Sequence, residues 1–243
     1  MIWIIGGTSN ANDIASLLVE KNQPVVISVT TGYGYGLAQR TGCRVIREVL
    51  TAEGMRLLIN ENKIRLVIDA SHPFATEVSK TAMQVACECG IQYARFERST
   101  PVFEKARYVE SYEAAVDYLK NTQGNVLVTT GSKFCGKYCT LDLGRLFVRV
   151  LSTPESIEHC TNAGYKPEQI VTMTGVLSTQ ENLKFMQENN IRFLVTKDSG
   201  QEGGLPEKIA AAEAGGVEVL IISRPRLHYP VVFSDYKELD ELV

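Results

Sequence analysis

Residues Met1 to Asp13, MIWIIGGTSNAND, constrain this chain more than any other stretch. Trp3, Ile4 and Ile5 form the short apolar run of a strand buried on both faces, and Gly6, Gly7, Thr8 and Ser9 follow at once. Ile14, Leu17 and Leu18 then stand at i, i+3 and i+4, the spacing of a helix with one apolar face. A strand that turns through glycines into a helix N-terminus gathers backbone N–H groups and the positive end of the helix dipole, which suits an anion such as phosphate. The dinucleotide pattern G-x-G-x-x-G is met in part, with Gly6, Thr8 and Ala11 in its glycine slots. Thr8 in the second slot restricts backbone approach to a pyrophosphate, while the Thr8 and Ser9 hydroxyls offer donors of their own. A plain strand-to-helix turn is the alternative.

The rest of the chain repeats this alternation. Residues 24–31 (PVVISVTT), 44–49, 65–71 (RLVIDAS) and 91–96 read as strands. Between them lie helices, one capped by Thr51 and carrying Leu58 and Ile59, another marked by Val78, Ala82, Val85 and Ala86 and stopped by Gly90. Long crossovers of this kind build a parallel sheet with helices on both faces. Residues 97–108 are polar, contain proline and lack a clear period, which makes them the boundary. The pattern then restarts, with strands at 125–131, 145–151, 169–173, 191–200 and 217–223. The expected fold class is α/β: two Rossmann-like doubly wound parallel-sheet domains, 1–97 and 98–243, with the active site in the cleft between them.

Charge excludes some partners. The 243 residues carry a net charge of −3, so nothing global points to nucleic acid or to an anionic membrane surface. No apolar run approaches the roughly 18 residues of a membrane helix, and no signal-peptide pattern opens the chain. A cytoplasmic protein, monomeric or weakly homo-oligomeric, is expected. The six cysteines form no C-x-x-C pair, and reduced structural thiols are expected rather than a zinc site.

Polar residues collect where the strands end, and ligands of doubly wound sheets bind beyond those ends. The clusters are Gly6-Gly7-Thr8-Ser9, Thr30-Thr31-Gly32, Asp69-Ala70-Ser71-His72-Pro73, Arg95-Phe96-Glu97-Arg98, Thr129-Thr130-Gly131-Ser132-Lys133, Thr196-Lys197-Asp198-Ser199-Gly200 and Ser223-Arg224-Pro225. A ligand with many negative charges suits a rim so rich in hydroxyls, amides and cations.

The strings IIGGTSNA at 4–11, IDASHPFA at 68–75, YARFER at 93–98, VTTG at 128–131, VTKDSG at 195–200 and the late Arg224-Pro225 resemble, in the same order, the precorrin-6A reductase family of cobalamin biosynthesis. The resemblance covers nearly the whole chain. It implies hydride transfer from a reduced nicotinamide to a methylated tetrapyrrole, precorrin-6A or cobalt-precorrin-6A. Three positions depart from the family's habit: Asp198 stands where Asn is common, Ser99 where a proline follows the Glu-Arg pair, and Val176 where a proline follows glycine.

Under this reading Gly6, Gly7, Thr8, Ser9, Thr30, Ser71, Thr130 and Gly131 are the cofactor-binding candidates. An NAD-specific site wants an acid at the end of the second strand; Thr30 and Thr31 stand there instead, and Arg40 lies beyond, which favours NADPH with NADH as the alternative. Arg95, Arg98, Lys133, Lys197, Arg224 and Arg226 are candidates for holding substrate carboxylates, with His72, Ser199 and Gly200 beside them. His72 and Lys197 are weak catalytic candidates. Each of these cations has a surface ion pair as its rival role. His228 and Tyr229 read best as packing of the C-terminal tail. Two other functions stay open: a non-enzymatic two-domain ligand sensor, and another NAD(P)H-dependent reductase of a polyanionic substrate. The Tyr-x-x-x-Lys pair of many small-carbonyl reductases does not occur.

Overall fold

The computed structural model describes residues 1–98 and 100–243, excepting the side chain of Glu202. The chain divides into two compact units, Met1–Ser99 with Pro225–Val243, and Thr100–Arg224.

The first unit runs β1 (Ile2–Ile5), α1 (Ser9–Glu20), β2 (Val25–Val29), α2 (Gly32–Ala38), β3 (Arg44–Arg47), α3 (Ala52–Glu61), β4 (Leu66–Asp69), α4 (Thr76–Glu88) and β5 (Gln92–Phe96). Every residue of β1 is buried because helices cover both sheet faces. Alternation assigns the faces: Ile2 and Ile4 pack with Ile14 and Leu18 of α1, whereas Trp3 and Ile5 pack with Met55 and Leu58 of α3 and Val85 of α4. The Trp3 indole Nε1 donates to the Ser28 hydroxyl at 2.9 Å, so its one polar atom is satisfied in the core.

The second unit runs β6 (Arg107–Val109), α5 (Tyr112–Lys120), β7 (Asn125–Val128), β8 (Leu146–Leu151), α6 (Pro154–Asn162), β9 (Ile170–Met173), α7 (Thr179–Glu188), β10 (Ile191–Lys197), α8 (Leu205–Gly215) and β11 (Glu218–Ile222). Leu127, Leu194 and Ile221 pack with Met186 of α7 and Ile209 of α8. The chain then returns to the first unit with β12 (Val232–Phe233) and α9 (Leu239–Leu242).

Both sheets are parallel throughout, ordered β12-β5-β4-β1-β2-β3 and β6-β11-β10-β7-β8-β9. Read from β3, the first follows the order of a doubly wound nucleotide-binding sheet; read from β9, the second does so as far as β11, and its last position is taken by β6, which precedes the others in the chain. The order reverses between β1 and β4 in one sheet and between β7 and β10 in the other.

The structure corrects the expected division. Residues 225–243, assigned from sequence to the second domain, belong to the first, because β12 pairs with β5 and Phe233 and Leu239 are buried beside Phe96. The stretch expected to be aperiodic holds most of β6, which pairs with β11 at the edge of the second unit's sheet. Both edge strands are too short to show an alternation. The glycine-rich α2 was not expected either; the Thr31 hydroxyl caps it, accepting from Gly34 N–H at 3.0 Å. After β7 the chain forms a 3-10 helix, Ser132–Tyr138, in place of an α-helix. Ser99, where the family habitually has proline, lies outside the described residues.

Phe233 is 3% exposed and packs edge-on against Phe96 with ring centroids 5.1 Å apart. Truncating such a ring leaves a cavity, so Phe233→Ala is expected to cost the first unit about 3–5 kcal/mol. A urea titration followed by emission of Trp3, the only tryptophan, reads that unit directly.

Candidate active site

At the first reversal point Gly6 N–H donates to Ser28 O at 2.8 Å, and a Cβ on Gly6 would stand 2.8 Å from the Ile27 side chain. Only glycine lets the chain leave β1 this close to β2. Gly7 follows with φ +106° and nothing within 4 Å of its Cβ position. Thr8 is the N-cap of α1; its hydroxyl accepts from Ala11 N–H at 3.1 Å and donates to Ala70 O at 2.6 Å. The Thr8 hydroxyl proton is therefore committed to the β4 loop, not to phosphate as the sequence suggested. The first turn of α1 carries no acid, which keeps its positive end available to an anion.

Thr30 is exposed at the end of β2. Arg40 sits in the 3-10 turn after α2, at the far end of that helix from Thr31. The cation nearer the end of β2 is Arg47, which pairs with Val29 in register and brings its guanidinium carbon within 3.5 Å of the Gly32 Cβ position. Its place at the end of β3, parallel to β2, was the overlooked signal.

Two of the candidates beyond β4 and β5, Ser71 and Arg95, are tied into a buried network around Asp69. Asp69 is fully buried and accepts from Ser71 N–H at 2.9 Å, the Ser79 hydroxyl at 2.6 Å, the Tyr93 hydroxyl at 2.6 Å and Arg95 Nη1 at 2.8 Å. Arg95, 1% exposed, also donates to the Ser71 hydroxyl at 3.2 Å and lies 5.4 Å from the Tyr229 ring centroid. Arg95 is thus a core cation paired with Asp69, and Ser71 is part of the same network, so neither is placed to hold a ligand. Tyr229 is a packing residue of the returning tail. Burial, then the neighbouring Asp69 carboxylate, raise the Tyr93 hydroxyl well above the usual tyrosine range, keeping it a donor.

His72 Nδ1 accepts from Phe74 N–H at 3.2 Å, which leaves the ring proton of the neutral form on Nε2. Arg98 lies over the Tyr236 ring at 4.7 Å and the Phe96 ring at 5.7 Å. Its guanidinium is positioned by one aromatic face on β5 and one on the returning tail.

In the second unit Thr130 is fully buried, and its hydroxyl has no hydrogen-bond partner among the described residues. Gly131 takes φ +92°, and its Cβ position lies 4.0 Å from Lys197 Nζ. Lys133 and Arg226 are exposed. Arg224, expected to hold substrate, instead pairs with Asp198 at 3.2 Å and donates to Thr100 Oγ1. That pair answers the departure at Asp198: Arg224 neutralises it, rather than Lys197. Ser199 packs its hydroxyl against Gly203, and Gly200 at φ +70° turns the loop there.

Lys197 ends β10 with Nζ 5.6 Å from the Phe134 ring centroid. Burial pushes its amine down to about 8. Two further cations of this unit escaped the sequence reading. Arg149 on β8 is 4% exposed, and burial lowers it to about 10. Lys208 on α8 is pushed down to about 8, first by burial and then by Arg149 and Lys197, with Glu207 acting the other way. Arg149 occupies a mid-strand position in RLFVRVL, where an apolar residue is the norm, and that anomaly was the available signal. Among the described residues no group of three His, Cys, Asp or Glu side chains is arranged to hold a metal ion, and the cysteines are free thiols.

Two doubly wound sheets, one carrying a glycine turn at its reversal point and the other buried cations, define a two-unit protein of dinucleotide-binding architecture. The model of the precorrin-6x reductase CbiJ/CobK family matches residues 1–243, and the chain belongs to that family. It is an oxidoreductase of cobalamin biosynthesis. It is 35% identical to the cobalt-precorrin-6A reductase of Methanococcus maripaludis, with 98% of this chain and 96% of the relative covered. Identity to the cobalt-precorrin-6A reductase of Priestia megaterium is 32% at the same coverage. A solved structure, CobK precorrin-6A reductase, superposes with a TM-score of 0.81 at 22% identity over 99% of this chain and 95% of that one, and shares its fold. Among the described residues no helix is long and apolar enough to cross a membrane.

The depressed amine of Lys208 has a consequence for stability. An unfolded lysine titrates near 10.4, so between about 8 and that value the unfolded chain binds the extra proton and stability rises with pH. Lys208→Met is expected to be more stable than the wild type near neutral pH by on the order of 1–2 kcal/mol, a gap that closes as pH rises through this window. Differential scanning calorimetry across the pH series checks it; a gap that stays constant refutes the assignment.

Proposed function

We propose that this protein transfers a hydride from NADPH to cobalt-precorrin-6A, saturating one double bond of the macrocycle to give a dihydro product of the precorrin-6B type. The observation that carries this reading is the agreement of the family with the whole chain, both sheets included. The relatives at 35% and 32% identity are both named for the cobalt-bearing substrate, which favours it over the metal-free one. Free thiols favour a reducing compartment, the cytoplasm.

The first unit fits a dinucleotide. Gly7 leaves open space before the N-terminus of α1, and the end of β2 carries Thr30 and Thr31 in place of the acid that would repel a 2′-phosphate. In this reading Gly6, Gly7 and Ser9 with the amides of α1 bind the pyrophosphate, and Arg47 takes the 2′-phosphate as a charge-assisted partner. The bound reduced nicotinamide supplies the hydride.

The chain's own task is to hold both ligands with the reacting carbons about 3–3.5 Å apart and water excluded. As the conjugated imine accepts the hydride, charge develops on nitrogen, and Lys197 Nζ, with its amine near 8, stabilises that charge or delivers a proton to it. His72 donates from Nε2 to a substrate carboxylate, and Arg98, Lys133 and Arg226 contribute positive charge at the strand ends.

Purified protein with NADPH is expected to lose the near-ultraviolet band of the cofactor only when cobalt-precorrin-6A is added, with a matched change in the tetrapyrrole bands. Binding of the macrocycle without oxidation of NADPH would mark a ligand sensor and reject the reading. Arg47→Ala is expected to raise KM for NADPH about ten-fold, a loss of about 1.4 kcal/mol, while KM for NADH holds. Gly7→Val is expected to abolish cofactor binding with circular dichroism unchanged, and unaltered cofactor affinity would contradict the turn's role.

A further inference from the structure

The second unit contains a cavity of about 180 Å³ beyond the ends of β7, β8 and β9, far above the ~10–15 Å³ that one water centre needs. Arg149, Asn182 and Lys208 supply its polar wall, and Leu151, Met173 and Val176 are among its apolar residues. Arg149 Nη1 donates to Asn182 Oδ1. Asn182 is itself fixed, because Nδ2 donates to Leu177 O at 3.1 Å and Ser178 O at 2.8 Å, which turns its oxygen to the guanidinium. The Phe185 ring stands 5.1 Å from the guanidinium carbon and braces it. Arg149 Nε and Nη2, both buried, have no hydrogen-bond partner among the described residues. These two nitrogens form the side-on edge of the guanidinium, the fork that receives both oxygens of a carboxylate. Among the described residues no carboxylate pairs with Arg149, and a buried cation left this way is costly without an anion.

We propose that this pocket is a carboxylate subsite, in which the Nε/Nη2 edge of Arg149 and the Lys208 ammonium grip one acid-bearing aliphatic arm of the substrate. The proposal rests on the functional reading above, which makes the substrate a polycarboxylate. The apolar wall decides between anions: Leu151, Met173 and Val176 suit the methylene stem of an acetate or propionate arm, whereas a phosphate diester has no such stem. Asn182 acts as a positioning residue that aims the fork.

Binding without turnover tests it. Cobalt-precorrin-6A is titrated into cofactor-free protein and its absorption followed, and NADP+ is titrated separately by calorimetry. Arg149→Met is expected to weaken the macrocycle at least ten-fold and leave NADP+ within two-fold, with no fall in melting temperature. Lys208→Met is expected to weaken the macrocycle in the same direction. Arg149→Lys keeps the charge without the fork and is expected to bind the macrocycle several-fold more weakly, so the assignment stays testable if the methionine variant folds poorly. Macrocycle affinity equal to wild type in these variants overturns the pocket alone. A loss that falls on NADP+, alone or in equal measure, assigns the site to phosphate and also overturns it. Wild-type protein that fails to bind the macrocycle sinks the functional reading, and the pocket with it.

Discussion

The buried pairing of Asp69 with Arg95 holds the first unit's ligand end in shape. A carboxylate offers about four acceptor positions, and here Ser71 N–H, the Ser79 hydroxyl, the Tyr93 hydroxyl and Arg95 occupy four. These donors come from the loop after β4, from α4 and from β5. The Arg95 guanidinium in turn carries Tyr229, which stacks on Tyr93 at 6.4 Å between ring centroids, so the returning tail is fastened to the same charge. Desolvating two charges is repaid only when every polar position is met. That requirement ties the loop bearing His72, the edge strand β12 and the helix start into one cooperative patch.

The second unit handles buried charge in the opposite way. Burial depresses Arg149, Lys197 and Lys208, and Arg149 and Lys197 depress Lys208 further, so that the amines of both lysines fall to about 8. Cations kept this way cost free energy in the unliganded protein and return it when an anion arrives, since a ligand that binds the folded state alone stabilises it by mass action. Residues kept for binding at the expense of stability are a recurring trade in enzymes. The contrast separates two kinds of arginine in one chain: Arg95 is part of the frame, and Arg149 is a receptor.

How much of this was legible in the sequence follows from the range of each interaction. Period and glycine placement are local, so both parallel sheets and most of their strands could be read directly. The glycine turn at Gly6 and Gly7 was legible for the same reason. Partnership across the chain is not local. Nothing beside Arg95 in sequence names Asp69 as its partner, and nothing near Arg224 names Asp198, so both looked like ligand-binding cations at strand ends. Arg149 failed in the other direction, hidden inside an apolar run whose neighbours made it look like core. The tail was assigned to the nearer domain because the two residues of β12 carry no period, and only pairing with β5 fixes their place.

The incomplete match to the dinucleotide fingerprint is best explained as a redistribution of roles. In the usual pattern the first glycine makes the tight turn and the second admits the pyrophosphate to the backbone. Here Gly6 meets the steric demand of β2, as the 2.8 Å approach to Ile27 requires, and the open position passes to Gly7 at φ +106°. That shift frees the next residue to carry a side chain. Thr8 uses it to cap α1 and to reach Ala70 O, joining the loops after β1 and β4 across the point where strand order reverses. A glycine at position 8 would leave that span unbridged, and the two loops would lose their direct side-chain link. Threonine there trades some freedom of backbone approach for a fixed relation between the N-terminus of α1 and the loop that carries Ser71 and His72.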